Sequence, residues 1–339
     1  MDKKLWKLYF KTLMLTLMGL CGLLAILYGV FVYTIGGLNR QSVDEGSLSV
    51  NEDLGVYGNQ KIMNVALFGI DSQNEENKGR SDAIMIASVN GKTGKIKLIS
   101  IARDTYVDVP NHGKTKINHA YAYGGPELAI QTINENFDLD ITDYVSVNFD
   151  SLADVIDEMG GIELEVTEEE RYQINNYLLK GEKLQESGLV HLTGPQAVSY
   201  SRIRKIGGDV VRGERQRKVL ECLFQKALEI NPLLYPSYVK KFSPMVETSL
   251  SNDEILKIAS VGMKGGLSLE QAGMPNDNIK SGGQTIGGVW YFVYDIDQAA
   301  DMIESFIYHD ISFDQYGKDS IETGEESEIA TEQKIVKIG

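Results

Sequence analysis

An uninterrupted apolar run near the N-terminus constrains what this chain can fold into more than any other feature. The run extends from Leu13 to Ile35 and contains no charged residue. About 20 apolar residues are enough for a helix to cross the hydrocarbon core of a bilayer. The run follows four lysines, Lys3, Lys4, Lys7 and Lys11. Because lysine marks the cytoplasmic end of such helices, we expect a cytoplasmic N-terminus over residues 1–11 and a transmembrane signal anchor over 12–36.

A cleaved signal peptide is the alternative to a retained anchor, since its hydrophobic core also follows positive charges. Such cores are about 7–15 residues long, which is shorter than this run. No small-x-small cleavage pattern follows Tyr33 either. These features favour a single-pass protein of the cell membrane, with everything after the anchor outside the cell.

Beyond the anchor, strand-like segments alternate with helix-like segments. The clearest strand-like segments are Met63–Ile70, Ala83–Val89, Lys95–Ile101, Tyr144–Asn148 and Ile162–Val166. The clearest helix-like segments are Glu127–Phe137, Ser151–Met159 and the stretch from Val210 onward. Gly124, Gly125 and Pro126 mark a break between Glu127–Phe137 and a candidate helix over Lys116–Tyr123, with proline in the first turn as helices prefer. This alternation predicts an α/β domain, in which helices pack against a mixed central sheet.

Polar composition sets the expected limits of this domain. Residues 37–60 are polar and contain glycine, which is typical of a linker. We expect one extracellular domain over residues 61–310, with charged residues 167–190 forming an irregular lobe over the sheet. Residues 311–339 are acidic and poor in large apolar side chains, so we expect a disordered tail.

Arginine is concentrated in one segment, Ser201–Lys218, which holds five of the nine arginines of the chain. The whole chain has a formal net charge of -15. Arginine binds phosphate and carboxylate groups through paired hydrogen bonds. A dense group of arginines on an acidic chain therefore favours a dedicated anion site, although a solvated basic helix has the same composition.

The spacing within this segment supports the anion site. Arg202 and Arg204 are two residues apart, so in an extended segment both side chains point to one side. Gly207 and Gly208 then break the chain, and the pattern after them is helical. The donors beyond the break are Arg212, Arg215 and Gln216, which share one helical face. We expect the two groups to form a clamp.

Two carboxylates stand where predicted strands meet. Asp71 closes the first strand and Asp82 opens the second, so pairing of these strands would bring both to one edge of the sheet. Carboxylate oxygens suit Mg²⁺ or Mn²⁺, and magnesium takes one or two protein carboxylates with phosphate and water. Each aspartate alone is also a common turn residue or helix cap. Arg80 and Arg103 at the same strand ends favour a site for a charged substrate.

These motifs resemble the LytR–CpsA–Psr family of Gram-positive cell-envelope proteins. The matching stretches are NVALFGID (64–71), GRSDAIMIASVN (79–90), LISIARDTYVDVP (98–110), KINHAYAYGGP (116–126), DEMGGIELEV (157–166), LTGPQAVSYSRIR (192–204) and GDVVRGERQR (208–217). They follow the order of the family within a motif-bearing core over residues 63–230. A single N-terminal span followed by an extracellular domain also fits this family.

The resemblance implies a phosphotransferase that moves a glycopolymer from an undecaprenyl-pyrophosphate carrier onto peptidoglycan, forming a phosphodiester. Teichoic acid, capsule and other wall polysaccharides share this carrier. The implied catalytic residues are Asp71, Asp82 and Arg103, with Asp71 and Asp82 holding Mg²⁺ (or Mn²⁺). The residues implied at the pyrophosphate are Arg80, Asp104, Lys116, Arg202, Arg204, Asp209, Arg212, Arg215 and Gln216. Within this set, Asp104 and Asp209 are expected to orient an arginine or the water of the metal.

The lipid carrier requires an apolar slot. Helices Glu127–Phe137, Ser151–Met159 and the one after Gly213 have apolar faces that could line it. Ordinary core packing accounts for the same residues. No motif identifies the general base that takes the proton of the attacking hydroxyl group. An aspartate near the metal is the candidate.

Two other functions could use the same residues, namely regulatory binding of the lipid-linked polymer without turnover and hydrolysis of the lipid pyrophosphate by water. Composition excludes others. Nucleic acid is not an expected partner, because the arginines lie outside the cell on an acidic chain without a basic arm. The two cysteines, Cys21 and Cys222, allow no disulfide framework in the extracellular part. Neither a zinc ligand spacing nor a hydrolase triad appears among the four histidines.

Overall fold

The computed structural model of this protein describes residues 39–54, 61–71, 79–231, 234–263 and 268–316. The strands are β1 (Asn39–Arg40), β2 (Ile62–Asp71), β3 (Arg80–Asn90), β4 (Lys95–Ile101), β5 (Tyr106–Val109), β6 (Gly113–Lys116), β7 (Asp143–Asn148), β8 (Ile162–Val166), β9 (Gly188–Leu192), β10 (Val246–Thr248), β11 (Ser268–Met274), β12 (Ser281–Ile286) and β13 (Val289–Tyr294). The α-helices are α1 (Ile117–Phe137), α2 (Phe149–Glu158), α3 (Glu168–Tyr177), α4 (Gly194–Ser201), α5 (Gly208–Glu229), α6 (Tyr235–Phe242), α7 (Asn252–Met263) and α8 (Ile296–His309).

A mixed sheet of seven strands, in the order β1-β10-β7-β2-β3-β4-β11, organises these elements. Strands β2, β3 and β4 run antiparallel as consecutive hairpins. Strand β7 joins β2 in parallel, and β11 joins β4 in parallel. The predicted class, an α/β domain with helices against a mixed sheet, is confirmed.

Alternate residues of the central strands face opposite helical layers, as the two-residue period of a strand requires. Ala66 and Phe68 of β2 belong to the core that α1 and α8 cover, together with Ile86 and Ile99 of neighbouring strands. Leu67 points to the other face, towards α2 and α5. The sheet is therefore the middle of three layers, and each face has its own apolar cluster.

The break predicted within the first long helix is present. At Gly125 the backbone leaves the helical region, with φ 69° and ψ -159°, and Pro126 begins the second half of α1. Proline suits this position because the first turn of a helix needs no backbone N–H from it.

The predicted linker over 37–60 is wrong for residues 39–54, which belong to the domain. Strand β1 pairs with β10, and the backbone N–H of Asn51 donates to the carbonyl of Leu139. Leu48 and Leu54 are buried in the main core. These two leucines attach an otherwise polar segment to the core, and its polar composition did not predict that contact.

Two further boundaries differ from expectation. The tail predicted from residue 311 begins later, because Phe313 is buried against Phe306 and the chain is ordered into the core up to Tyr316. The lobe predicted as irregular over 167–190 contains helix α3 and the start of β9. A capping box between Thr167 and Glu170 begins α3 and stabilises it despite few apolar residues.

The predicted cytoplasmic N-terminus and transmembrane anchor lie outside the described residues, as do residues 317–339 of the predicted tail. Within the described ranges, no helix has both the length and the apolar character needed to cross a bilayer.

Candidate active site

A β-bulge positions the first carboxylates of the site. Asp71 pairs with Arg80 and Ile70 with Ser81, but Gly69 pairs with Ala83. Asp82 is therefore an extra residue on β3, and such bulges commonly redirect a side chain at a sheet edge. Asp71 and Asp82 both lie at the edge where β2 ends and β3 begins, as predicted.

Arg103 follows the end of β4 and binds Asp82. Its Nη1 donates to Asp82 Oδ1, and its Nε lies 3.7 Å from Asp104 Oδ2 and 3.9 Å from Asp209 Oδ1. Burial lowers the pKa of Arg103, but attraction to Asp82, Asp104 and Asp209 outweighs it, so the pKa lies above its usual value. Arg103 is therefore a fixed cation among three carboxylates.

Asp104 and Asp209 are the buried counter-ions of this site. Asp104 Oδ1 lies 2.8 Å from Lys116 Nζ, and Asp104 Oδ2 lies 3.4 Å from Arg204 Nη2. Asp209 Oδ1 lies 2.8 Å from Arg212 Nη2 and 3.5 Å from Arg204 Nε. The side chains of these aspartates are only 5% and 7% exposed, so they orient the cations rather than face solvent.

The turn between α4 and α5 brings Arg202 and Arg204 to the site. Arg202 is the C-cap of α4 with helical dihedrals, so the predicted extended conformation is wrong. Both residues nevertheless reach the same cavity. Gly207 and Gly208, with φ of 80° and 74°, then reverse the chain into α5. Glycine is suited to these left-handed positions because it has no Cβ.

Helix α5 contributes Arg212 and Gln216 to the cavity. Arg212 Nη2 donates to the carbonyl of Asp82 at 3.2 Å. Burial lowers the pKa of Arg212 to about 10, which leaves it charged at neutral pH. The Nε atoms of Arg103 and Arg212 are buried without a hydrogen-bond partner among the residues that the structure describes. Both arginines line the cavity beside Asp82, so their positive charge is available to an anionic ligand.

Arg215 does not face this cavity, contrary to the expected clamp. Its guanidinium is buried and donates to Glu170 Oε1 at 2.8 Å and to the carbonyls of Ile203 and Ile206 at 3.2 and 3.0 Å. Arg215 therefore braces the turn that carries Arg204. Arg80 is exposed at the start of β3, and Lys116 reaches the site through Asp104.

The charged residues surround an open cavity with an empty volume of about 610 Å³. Its lining consists of Asp82, Arg103, Phe149, Tyr177, Arg202, Arg204, Arg212 and Gln216. Sequence reasoning missed Phe149 and Tyr177. Phe149 directly follows β7, which runs parallel to β2, so strand order could have placed it at this edge. No sequence signal placed Tyr177, which ends α3.

An apolar cavity with an empty volume of about 650 Å³ adjoins the charged one. The two cavities share Phe149 and Gln216. The apolar cavity lies between the sheet and helices α2 and α5, and its lining includes Leu67, Met85, Val145, Val147, Leu152, Val219 and Leu220. Two of the three helices expected to line a lipid slot are therefore there. The third, Glu127–Phe137, packs in the core on the opposite face of the sheet.

The carboxylates offer a limited set of metal donors. No group of three or more His, Cys, Asp or Glu side chains converges within the described ranges. Asp71 and Asp82 keep 41% and 18% of their side chains exposed, with cations beside them. One or two carboxylates are what magnesium takes when substrate phosphates supply further oxygens.

The chain is similar to known proteins over most of its length. The model of the LytR_cpsA_psr family matches residues 36–306. A polyisoprenyl-teichoic acid–peptidoglycan teichoic acid transferase, TagU of Bacillus mycoides, is 29% identical over 293 residues, covering 83% of this chain and 92% of the relative. The TagU of Enterococcus faecalis is 39% identical over 209 residues, covering 59% of this chain and 66% of the relative.

A solved structure shares the fold. TagT with bound octaprenyl pyrophosphate lipid matches with a TM-score of 0.57 and 26% sequence identity, over 73% of this chain and 90% of that chain.

Proposed function

We propose that this chain, which belongs to the LytR–CpsA–Psr family, is a transferase that moves a teichoic acid or related wall polymer from a polyprenyl-pyrophosphate carrier to peptidoglycan. One observation carries the proposal. A cavity lined by Arg103, Arg202, Arg204 and Arg212 adjoins an apolar cavity, and Phe149 and Gln216 line both. A charged site joined to an apolar slot suits a pyrophosphate with a hydrocarbon tail. The names of the relatives, teichoic acid transferases, and the lipid bound to TagT support the same substrate class.

The reaction follows from charge and position. The hydroxyl oxygen of the acceptor attacks the phosphorus that carries the polymer, and the bridging P–O bond breaks. Lipid monophosphate leaves, and the hydroxyl proton passes to an aspartate at this edge. Such transfers depend on stabilising phosphate oxygens and on alignment rather than on covalent catalysis. Arg103 and Arg212 line the cavity from the end of β4 and from α5, while Arg202 and Arg204 close the cavity from the turn.

Asp71 and Asp82 are the residues that would hold Mg²⁺, which neutralises phosphate charge when bound. Their partial exposure at one sheet edge supports this assignment. Asp104 and Asp209 remain counter-ions of the arginines. The predicted anchor over residues 12–36 belongs to the same proposal. It would hold the site beside a substrate whose tail stays in the bilayer, on the outer side of the cell membrane.

The test uses the full chain in detergent micelles with lipid-pyrophosphate-linked polymer, peptidoglycan oligomers and Mg²⁺. We expect a phosphodiester between polymer and peptidoglycan, and its loss on chelation with EDTA. Asp82→Ala should abolish the product, whereas Asp314→Ala, an exposed aspartate outside the cavity, should not.

Other products would favour the alternatives. Free polymer phosphate without linkage would indicate hydrolysis, and tight lipid binding without either product would indicate a regulatory binder. If the product survives EDTA, the metal assignment is wrong while the transferase assignment stands.

A further inference from the structure

An aromatic hairpin stands beside the charged site, and none of its residues lines the charged or the apolar cavity. Its strands, β12 and β13, pair over their full length. Trp290 of β13 is 43% exposed, and Val289 next to it is 42% exposed. An exposed tryptophan on an ordered strand is unusual in a structural role, because tryptophan is enriched where one partner supplies apolar contact and polar groups remain wet.

The hairpin is hydrogen-bonded directly to the residues that follow Arg103. The backbone N–H of Phe292 donates to the carbonyl of Asp104 at 2.9 Å, and Thr105 bridges to Phe292. The hydroxyl groups of Thr105 and Tyr294 lie 3.1 Å apart. Asp104 and Thr105 immediately follow Arg103, so the position of Trp290 is coupled to the site by hydrogen bonds.

Lys116 connects the indole to the charged site. Its Nζ lies 6.0 Å from the centre of the Trp290 ring and 2.8 Å from Asp104 Oδ1. A second pair of rings joins α1 to the turn between β5 and β6. Tyr123 of α1, 48% exposed, stacks on His112 of this turn with ring centres 4.4 Å apart. The ring of His119 lies 5.8 Å from that of Tyr123, and its Nδ1 lies 2.9 Å from the hydroxyl of Thr115, which precedes Lys116 on β6. These side chains form an aromatic strip, which we define as Trp290, Lys116, His119, Tyr123 and His112.

The opposite strand has room for the indole to pack on the hairpin. Gly283 lies under the indole, and a Cβ at this position would be 2.5 Å from Trp290 Nε1. Glycine therefore lets the ring lie flat on the hairpin. A flat ring beside lysine offers apolar contact to the C–H face of a sugar and a cation for a nearby carboxylate.

We propose that the aromatic strip binds the glycan chain of the peptidoglycan acceptor. This inference rests on the proposed function and names the place of its second substrate. Attacking and leaving oxygens lie roughly in line in phosphoryl transfer, so acceptor and lipid must approach from different sides. The apolar cavity adjoins the charged cavity at Phe149 and Gln216, whereas the strip is linked to the charged site on another side, through the ion pair of Lys116 with the buried Asp104. The acceptor also carries carboxylates, for which Lys114 and Lys116 of β6 provide positive charge on an otherwise acidic chain.

The chain contains only two tryptophans, Trp6 and Trp290, so Trp290 is the single tryptophan of a Trp6→Phe variant of the full protein and can be excited selectively. Uncross-linked peptidoglycan glycan chains, free of wall polymer, are titrated into this variant in detergent micelles. We expect a saturable change in Trp290 emission. Adding Val289→Ser should preserve the change, because that neighbouring side chain lies on the other face of the hairpin.

Transfer kinetics give the second readout. Trp290→Ala should raise KM for the glycan acceptor about tenfold with kcat within about twofold, as expected for loss of a central aromatic contact. Gly283→Ala should raise the same KM by displacing the indole without removing it. The KM for the lipid-linked donor is measured in parallel.

Three outcomes would overturn the proposal: no emission change with glycan chains, a change only with free wall polymer, or a rise in the donor KM instead of the acceptor KM. The titration needs no turnover. If transfer product is absent but the emission change is present, the proposed reaction fails and the glycan site stands.

Discussion

Arg212 and Arg215 are three positions apart on α5, yet they have different surroundings. Arg212 lines the charged cavity, whereas Arg215 is bound to Glu170 and to two carbonyls of the turn. Arg215→Met should lower the free energy of unfolding by about 3–5 kcal/mol, because it leaves Glu170 largely buried and unpaired. Urea denaturation measures this loss.

Arg204 provides the matched control for Arg215. Its side chain is 44% exposed, so Arg204→Met should cost less than about 1 kcal/mol of stability. It should instead weaken binding of lipid pyrophosphate. A double variant, Glu170→Gln with Arg215→Met, should recover part of the lost stability, since no buried charge remains. Weakened binding with full stability in Arg215→Met would show that Arg215 contacts the ligand after all.

Glu170 makes the same ion pair sensitive to acid. Burial raises the pKa of Glu170, but the backbone N–H of Thr167 and Arg215 lower it more, so it lies below the usual 4.5. A carboxyl group with a lowered folded-state pKa stabilises the fold above about pH 4.5, and this contribution is lost as pH falls through the folded value. The unfolding free energy of the wild type should therefore fall more steeply below pH 4.5 than that of Glu170→Gln. Parallel slopes in the two proteins would contradict this prediction.

The α4–α5 turn depends on Gly207. Its φ is 80°, and a Cβ there would lie 2.5 Å from Cγ2 of Val211. Gly207→Ala should therefore shift the turn and weaken binding of inorganic pyrophosphate about tenfold, as measured by calorimetric titration. The positive φ should in addition cost about 1 kcal/mol of stability, because alanine is strained in this conformation. Gly181→Ala is the matched control, because Gly181 has a φ of 95° but open space around it. Equal affinities in both variants would show that the turn tolerates the clash.

At the scale of elements, the sequence predicted what local pattern determines. Continuous apolar runs identified β2, β3 and β4, and Pro126 identified the break in α1. Strands β1 and β11 carry no such run, because their place depends on pairing with distant strands β10 and β4. The orientation of Arg215 was missed for the same reason. Helical spacing predicts which side of α5 carries Arg215. The residue that binds Arg215 is Glu170, which lies on α3, a helix that local composition did not predict.

At the scale of the whole molecule, the three layers create the site. The strand ends and the α4–α5 turn supply charge, while the sheet face and helices α2 and α5 leave an apolar cavity beside it. The charged residues named from the motifs lie in continuous stretches of sequence, and the structure places Asp82, Arg103, Arg202, Arg204, Arg212 and Gln216 around one cavity but not Arg215. The apolar cavity required the packing of the layers, because residues such as Leu67 and Val147 look like ordinary core in the sequence.

Filling the apolar cavity tests whether it binds the lipid tail separately from the charged cavity. Leu220 of α5 lines it, and Leu220→Trp should occupy space that the lipid tail needs. Each buried methylene group contributes about 0.8 kcal/mol, so exclusion of even a few should weaken binding of a long polyprenyl pyrophosphate by on the order of 100-fold. Inorganic pyrophosphate needs only the charged cavity and buries no methylene groups, so its affinity for the variant should stay within about twofold of that for the wild type.

Leu228→Trp is the matched control, because Leu228 lies on the same helix, is 40% exposed and does not line the cavity. Calorimetric titration of both ligands into the three proteins gives the comparison. If Leu220→Trp weakens inorganic pyrophosphate as much as the long lipid, the two cavities do not act as separate head and tail sites.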